Sequence, residues 1–196
     1  MALLTGQRLR PRTRFVLILL GGLLALILGR IEGEAQTPVF NENEVKATFL
    51  FYFAQFVEWP PRVFPEAQTP ITIGVLGDDV FGPFLDKTVR GEVINNRTLA
   101  VQRYRHVEEV GTCHVLFISA SEAGHLDQIL GALKGRPILT VGDAEGFARQ
   151  GVMIRFVTEK NKIRLHVNLE AAKDANLQLS SKLLRSAEIV GKNGDR

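Results

Sequence analysis

The segment that most constrains the fold is residues 44–61, a predicted helix that is apolar on both sides. It contains four of the chain's twelve phenylalanines, its only tryptophan and one of its two tyrosines. One face carries Val45, Phe49, Tyr52, Phe53 and Phe56 at helical spacing, and the other carries Ala47, Leu50, Phe51 and Ala54. A helix of this kind cannot lie on a surface with one side in water, so each side needs a partner.

The surroundings of this helix follow from the same residues. Pro60 and Pro61 end it, because proline has no N–H to donate and restricts the residue before it. We expect one side to pack on the sheet of the domain. The other side needs a further layer of this chain, a second copy or a different protein. Three interpretations stay open: a core helix, a core helix that also forms an interface, and a helix lying on a membrane. The segment is too short to span a bilayer.

The first 35 residues have the order of a secretory signal peptide: a basic run, an apolar run and small residues. Four arginines between residues 8 and 14 precede the apolar residues 15–28, and Gly33 and Ala35 follow. We therefore predict export with cleavage after Ala35, and a single mature domain over residues 36–196. An uncleaved anchor is the alternative, although the apolar run is shorter than the roughly 20 residues that a spanning helix needs.

Removal of this segment leaves a neutral chain with one cysteine. The full chain has 24 basic and 21 acidic residues, and residues 1–35 hold five arginines and two glutamates. Residues 36–196 therefore have 19 basic and 19 acidic residues, and their charge gives no argument for nucleic-acid binding.

Cys113 cannot form a disulfide within the chain. We expect it to be buried, with redox pairing between chains as the alternative.

Beyond the aromatic helix, β-rich runs alternate with helical segments. The predicted strands are residues 71–76, 98–104, 114–118 and 138–141, and the predicted helices are residues 81–89, 119–133 and 145–150. This alternation predicts a three-layer α/β sandwich, with a mostly parallel sheet and helices on both faces.

The pattern changes near the C-terminus, where residues 152–158 and 163–167 are predicted to form an antiparallel hairpin around a four-residue loop. We pair Thr158 with Ile163. The core face then carries Ile154, Phe156, Leu165 and Val167, and the other face carries Arg155, Val157, Arg164 and His166. Asn168 is predicted to cap a helix that ends near residue 175, and a last helix is predicted over residues 181–189.

No residues combine a nucleophile, a base and an orienting group, so the sequence indicates a binding protein and not an enzyme. Asp78 and Asp143 follow predicted strands, where α/β sheets bind ligands, so helix capping and ligand contact are both open. Arg155, Arg164 and His166 either face solvent or bind an anion or an acidic partner. The histidines and the cysteine lack metal-ligand spacing, and we predict no metal and no cofactor.

Several segments together resemble the YfiR family of small exported bacterial proteins. They are KATFL at 46–50, FVEWP at 56–60, ITIGVLGD at 71–78, CHVLFIS at 113–119, ILTVGD at 138–143, GVMI at 151–154, NLEAA at 168–172 and SSKLL at 180–184. No single segment is diagnostic, but their order and spacing are specific.

The resemblance implies a periplasmic homodimer that binds the periplasmic sensor part of a membrane diguanylate cyclase. It restrains that enzyme, which lowers cyclic-di-GMP and biofilm formation. In some members a peptidoglycan-associated lipoprotein relieves the inhibition. Some members carry four cysteines and are redox-tuned, whereas this chain has only Cys113. The family acts by binding, so no catalytic residues carry over.

Two hypotheses about binding follow. In the first, Phe51 and Trp59 lie on the side of the helix away from the sheet and contribute to self-association or partner docking, because aromatic residues are favoured anchors. In the alternative, the protein is a periplasmic small-solute binding domain without an enzyme partner, and its ligand lies near Asp78 or on the Arg155 and His166 face.

Overall fold

The computed structural model describes residues 41–191, which form a mixed sheet with helices on both faces. The predicted signal peptide, residues 1–35, lies outside the described residues. The helices are α1 (Glu42–Phe56), α2 (Pro83–Val89), α3 (Leu126–Leu133), α4 (Phe147–Gln150), α5 (Leu169–Asp174) and α6 (Ser181–Leu184). The strands are β1 (Val57–Glu58), β2 (Ile71–Leu76), β3 (Val93–Ile94), β4 (Arg97–Tyr104), β5 (Val115–Ile118), β6 (Leu139–Gly142), β7 (Ile154–Glu159), β8 (Lys162–Val167), β9 (Gln178–Leu179) and β10 (Ala187–Ile189).

Eight strands form one sheet in the order β10-β8-β7-β6-β5-β2-β4-β3. The pairs from β4 through β2, β5 and β6 to β7 are parallel, and so is the pair of β8 with β10. The pairs β7 with β8 and β3 with β4 are antiparallel. Separately, β1 pairs with β9. The predicted α/β class, with a mostly parallel sheet and an antiparallel pair near the C-terminus, is therefore confirmed.

Side chains along the central strand β5 point alternately to the two faces of the sheet and so connect the sheet to the helices on both sides. Val115 and Phe117 belong to the core cluster formed with α1 and α2. Leu116 and Ile118 point the other way, into the cluster formed with α3 and α4. Successive side chains of a strand point to opposite faces, so a strand buried on both sides is apolar at every position.

The C-terminal hairpin has the predicted register, with Thr158 opposite Ile163 and Arg155 opposite His166. Its turn is shorter than predicted, because the strands pair up to a two-residue turn at Lys160 and Asn161, whose φ angles are 49° and 58°. Paired positive φ angles are typical of the tight turns that match strand twist. A second turn of this kind joins β3 to β4, a hairpin that sequence reasoning missed.

The predicted helix over residues 181–189 is wrong. Only Ser181–Leu184 is helical, and Ala187–Ile189 forms β10, which pairs in parallel with β8. Without β10, the hairpin strand β8 would present a row of unpaired N–H and C=O groups at the edge of the sheet. Ile189, which is β-branched, suits a strand better than a helix.

The faces of α1 also differ from the prediction. Its buried apolar side chains are Ala47, Leu50, Phe53 and Ala54, which face the sheet, whereas Tyr52 is 43 % exposed. The two alanines have small side chains, so the helix can lie close to the strands while Leu50 and Phe53 reach the core. This orientation turns Tyr52 outwards, although its spacing had grouped it with Phe53.

We predict that Gly142→Ala destabilises the protein by about 2 kcal/mol, because an added Cβ overpacks the core. This Cβ would overlap the ring of Phe147 and would lie 3.1 Å from the carbonyl oxygen of Ile118. The matched control is Gly131→Ala in α3, where a Cβ meets no atom within 4 Å. The control should stabilise the helix by up to about 1 kcal/mol. Urea denaturation measures both, and equal stability of the two variants would contradict the packing described.

Candidate functional site

An ion cluster around the buried Lys46 joins α1 to the carboxyl end of β6. Lys46 is 4 % exposed, and its Nζ lies 2.6 Å from Asp143 Oδ2 and 2.6 Å from Glu42 Oε1. Asp143 directly follows β6, at the position where the sequence left capping and ligand contact open. The structure places it against Lys46, to which the sequence analysis assigned no role. A lysine within an otherwise apolar segment was the available signal.

Lys46 and Glu42 are both charged at neutral pH. Burial by itself would lower the pKa of Lys46, but its hydrogen bonds to Asp143 and Glu42 outweigh burial and raise that pKa above 10.5. The hydrogen bond from Lys46 lowers the pKa of Glu42 below 4.5. The stabilisation linked to Lys46 is therefore complete below pH 10.5 and is lost as the pH rises through its raised pKa. The stabilisation linked to Glu42 is complete above pH 4.5 and is lost in more acidic solution.

The turn after β2 holds Asp79 in structural contacts. Its Oδ1 accepts hydrogen bonds from the backbone N–H groups of Phe81 and Gly82, at 2.9 and 3.0 Å. Its Oδ2 lies 2.7 Å from Arg103 Nε, and Arg103 also pairs with Asp86 at 2.6 Å. Hydrogen bonds to Asp86 and Asp79 raise the pKa of Arg103. These contacts fix the turn in place.

Asp78 lies where the loops after β2 and β5 diverge, which is the position where open α/β sheets commonly bind ligands. Its side chain is exposed, and its backbone N–H donates to Ser121 Oγ at 3.1 Å. Beside it, the side chains of Ser121 and Glu122 occupy the space next to Gly77. The chain's own residues thus fill this part of the crevice.

The hairpin brings Arg155, Arg164 and His166 together on the face of the sheet opposite α1. The Nε atom of Arg155 is buried without a hydrogen-bond partner in the described part of the chain. His166 Nε2 lies 3.4 Å from Glu188 Oε2. A cavity of about 500 Å³ at this face is lined by Arg164 and His166, and also by Glu159, Arg185, Ser186 and Glu188. The acidic residues make this surface mixed in charge. The contribution of residues 185–188 was missed because they had been assigned to a helix.

The two aromatic residues predicted to dock a partner are both partly buried. Phe51 packs against the small cluster of Ala54, Ile71 and Ile94. Trp59 packs on the main core and makes an edge contact with His114, with ring centroids 5.8 Å apart. The exposed ring next to Phe51 is Tyr52, which sequence reasoning had turned towards the sheet.

A continuous aromatic surface nevertheless lies on the outer side of α1. The Tyr52 ring lies 5.6 Å from the Phe51 ring and stacks on the Phe56 ring at 6.0 Å. The Nζ of Lys182 lies 6.0 Å from the centre of the Phe56 ring. We call Phe51, Tyr52 and Phe56 the aromatic surface of α1.

Cys113 is buried, as predicted, with 6 % of its surface exposed. Its thiol donates to the carbonyl oxygen of Val115 at 3.2 Å. Burial raises the pKa of this thiol to about 12, so the thiol is protonated at physiological pH. The thiolate is the reactive form of cysteine, so this environment disfavours redox chemistry.

Within residues 41–191, no three His, Cys, Asp or Glu residues are grouped so that they could hold a metal ion. In the same part of the chain, none of the helices has both the length and the apolar character needed to cross a membrane.

Comparison with models of known protein families matches residues 43–188 to the family described as YfiR/HmsC-like. The match covers well over half of the chain, from the first turn of α1 into β10. A comparison with curated proteins finds no match.

We predict that Lys46→Met lowers the free energy of unfolding by about 2 kcal/mol at pH 7, because it removes the hydrogen bonds from Lys46 to Asp143 and Glu42. The matched control is the double variant Lys46→Met with Asp143→Leu, which removes both charges and should recover most of the loss. Urea denaturation measures each variant. The loss of unfolding free energy caused by Lys46→Met should become smaller as the pH falls below 4.5 and through the lowered pKa of Glu42, because protonation of Glu42 weakens its contact with Lys46 in the unchanged protein. A double variant no more stable than the single one would show that the ion pair does not carry this stability.

We predict that Cys113 in the native protein reacts with a thiol reagent at pH 8 only as fast as the protein opens, because the thiol is buried and protonated. Absorbance of the released aromatic thiolate follows the reaction, and the urea-unfolded protein is the control that should react at once. Rapid labelling of the native protein would reopen the redox interpretation.

Proposed function

Because the chain belongs to the YfiR/HmsC-like family, we propose that it is a periplasmic regulator that binds and restrains a membrane diguanylate cyclase. The family consists of regulators and not of enzymes. In the proposed function, the protein binds the periplasmic sensor part of the cyclase and keeps the enzyme inactive. Less cyclic-di-GMP is then made, and biofilm formation falls.

The observation that carries this proposal is the family match over residues 43–188, which includes almost the entire sheet and α1. A function in binding, and not in catalysis, also agrees with the structural contacts that the polar side chains make. Lys46 is held by two carboxylates, Asp79 caps a turn, and the Cys113 thiol is protonated. Groups engaged in this way hold the fold together and are not free to act on a substrate.

The aromatic surface of α1 is the contact region that we propose for a partner. Tyr52 is its most exposed ring, and Phe51 and Phe56 flank it within 6.0 Å. Aromatic rings bury a large area at a small cost in side-chain entropy, and they are enriched among the residues that dominate binding energy. Trp59, beyond the end of α1, packs on the main core and is not part of this surface.

Two further partners belong to the same proposal. A second copy of the chain forms a homodimer, and the aromatic surface of α1 serves the contact with the cyclase. The second partner is a peptidoglycan-associated lipoprotein, which relieves the inhibition by releasing the cyclase from this protein.

The second candidate is a small-solute binding domain that uses the cavity beside Arg164 and His166. The cavity volume of about 500 Å³ suits a small molecule, and the lining residues Arg164 and Arg185 favour a ligand that accepts hydrogen bonds. A protein with only this function would not retain a membrane cyclase, so the following experiment separates the two candidates.

We predict that the tagged protein, used to capture partners from solubilised membranes, retains a protein with a diguanylate cyclase domain. Tyr52→Glu should reduce this retention at least about tenfold, because it places a charge in the contact. The matched control is Val93→Glu, which introduces the same charge at another exposed hydrophobic residue, 58 % exposed on β3. This control should retain the cyclase, and far-UV circular dichroism should be the same for all three proteins.

Analytical ultracentrifugation of the three purified proteins gives their oligomeric states. Together with the capture experiment, it shows whether the aromatic surface of α1 contacts the cyclase or a second copy of the chain. A monomeric Tyr52→Glu variant that still retains the cyclase would assign it to the homodimer, and a dimeric variant without cyclase would assign it to the enzyme. If both the oligomeric state and the retention are unchanged by Tyr52→Glu, the proposed surface is wrong. If the unchanged protein retains no cyclase, the proposed function is wrong.

A further inference from the structure

A cavity of about 520 Å³ lies where the sheet is split between β6 and β7. These strands pair only at residues 141–142 with residues 154–155, and the residues just before these pairs, Thr140 and Met153, line the cavity. The Met153 N–H donates to the Thr140 hydroxyl oxygen at 3.1 Å, so a side chain replaces a strand as its acceptor. The gap is therefore satisfied where it begins and does not need to close.

The walls of this cavity are apolar and come from both faces of the sheet. Leu130 and Leu133 of α3 pack in the core cluster on one face, and Ala171 and Ala175, in and just after α5, pack in the cluster on the other. The two alanines contribute only methyl groups on their side, which leaves space between the helices. Predominantly apolar pockets of about 300–1,000 Å³ are typical ligand sites, so this cavity has the size and lining of one.

Opposite charges lie on the two sides of the cavity. Lys134, just after α3, lines one side, and Glu170 and Asp174 of α5 line the other. The two acidic residues are four apart, so they share one side of the helix. All three side chains are exposed, and within residues 41–191 none of them takes part in an ion pair. A ligand in this cavity thus meets a free cation on one side and free carboxylates on the other.

We propose that this cavity binds a short apolar peptide with free ends, two or three residues long. Its ammonium group lies beside Glu170 and Asp174, its carboxylate lies beside Lys134, and its side chains contact the apolar walls. A sphere of this volume is roughly 10 Å across, and an extended chain covers about 3.3–3.6 Å per residue, so two or three residues span it. A free amino acid carries both charges on one carbon and is too short to place one charge at each side.

This site is separate from the cyclase contact proposed above. The aromatic surface of α1 contributes no residue to the cavity, and neither do the residues that line the cavity beside Arg164 and His166. Peptide binding and cyclase retention can therefore succeed or fail independently.

Isothermal titration calorimetry of the purified protein with leucyl-leucine and leucyl-alanyl-leucine tests the proposal. We expect a dissociation constant on the order of 0.1 mM for at least one of them, as for other ligands of this size. The matched controls are the same peptides with the N-terminus acetylated, with the C-terminus amidated, and with both ends capped. Each cap removes one charge and keeps the apolar side chains, so binding should weaken with each cap. Free leucine should bind more weakly than either peptide.

Two charge variants show which end of the peptide lies at which side. The double variant Glu170→Gln with Asp174→Asn should weaken binding of the free peptide at least about threefold, the effect of losing an exposed ion pair. It should not affect the acetylated peptide, which has no ammonium group. Lys134→Gln should weaken binding of the free and acetylated peptides equally and should not affect the amidated one. Lys173→Gln is the control, because this exposed residue of α5 does not line the cavity.

A third variant, Ala171→Phe, places a ring in the apolar part of the cavity and should abolish binding of every peptide. If this variant fails to fold, the charge variants still test the site, because a loss of folding cannot distinguish an acetylated peptide from an amidated one.

Three results would overturn the proposal. The first is that neither free peptide binds at concentrations up to roughly 5 mM, well above the expected dissociation constant. The second is that the doubly capped peptides bind as tightly as the free ones, which would show that the charges at the two sides do not select the ligand. The third is that a folded Ala171→Phe variant binds the peptides as well as the unchanged protein does, which would place the peptide elsewhere.

Discussion

The packing of α1 against the sheet is the interaction on which the rest of this structure depends. Ala47 and Ala54 let the helix lie close to the strands, and Leu50 and Phe53 fill the space between them. Phe53 stacks on Phe156 of β7 at 5.8 Å, so α1 also covers the C-terminal hairpin. One helix thereby holds together the parallel centre of the sheet and its antiparallel edge.

The direction of α1 is fixed at both of its ends by different forces. At its start, Lys46 binds Asp143 after β6, which places a charged contact at the rim of an apolar interface. Just beyond its end, β1 pairs with β9. A helix held in this way cannot rotate to hide its outer rings, so Tyr52 stays in solvent. The exposed aromatic surface of α1 is thus a consequence of how tightly the inner face is packed.

Sequence reasoning succeeded where a single periodicity decided the outcome. The hairpin register was predictable because strict alternation allows only one pairing of Thr158 with Ile163 that buries Phe156 and Leu165 together. The faces of α1 were not predictable, because a helix that is apolar all round has no periodicity to select the inner side. The strand at residues 187–189 was missed because it depends on the free edge of β8, which is a tertiary feature.

The candidate sites were less predictable than the fold, for a related reason. Lys46 and Asp143 are 97 residues apart, and no spacing rule connects them. The cavity at the split between β6 and β7 depends on where their pairing begins, and no sequence pattern marks that point. By contrast, Arg155, Arg164 and His166 were predicted to share a face because they lie on one hairpin.

We propose that the outer face of α1 contacts a diguanylate cyclase in the periplasm. The most direct measurement places a photo-crosslinking amino acid at position 52 in living cells and identifies the adduct by mass spectrometry, with position 93 on β3 as the reference. We predict an adduct with a diguanylate cyclase from position 52 and none from position 93. A cyclase adduct from position 93 alone, or none from either position, would contradict it.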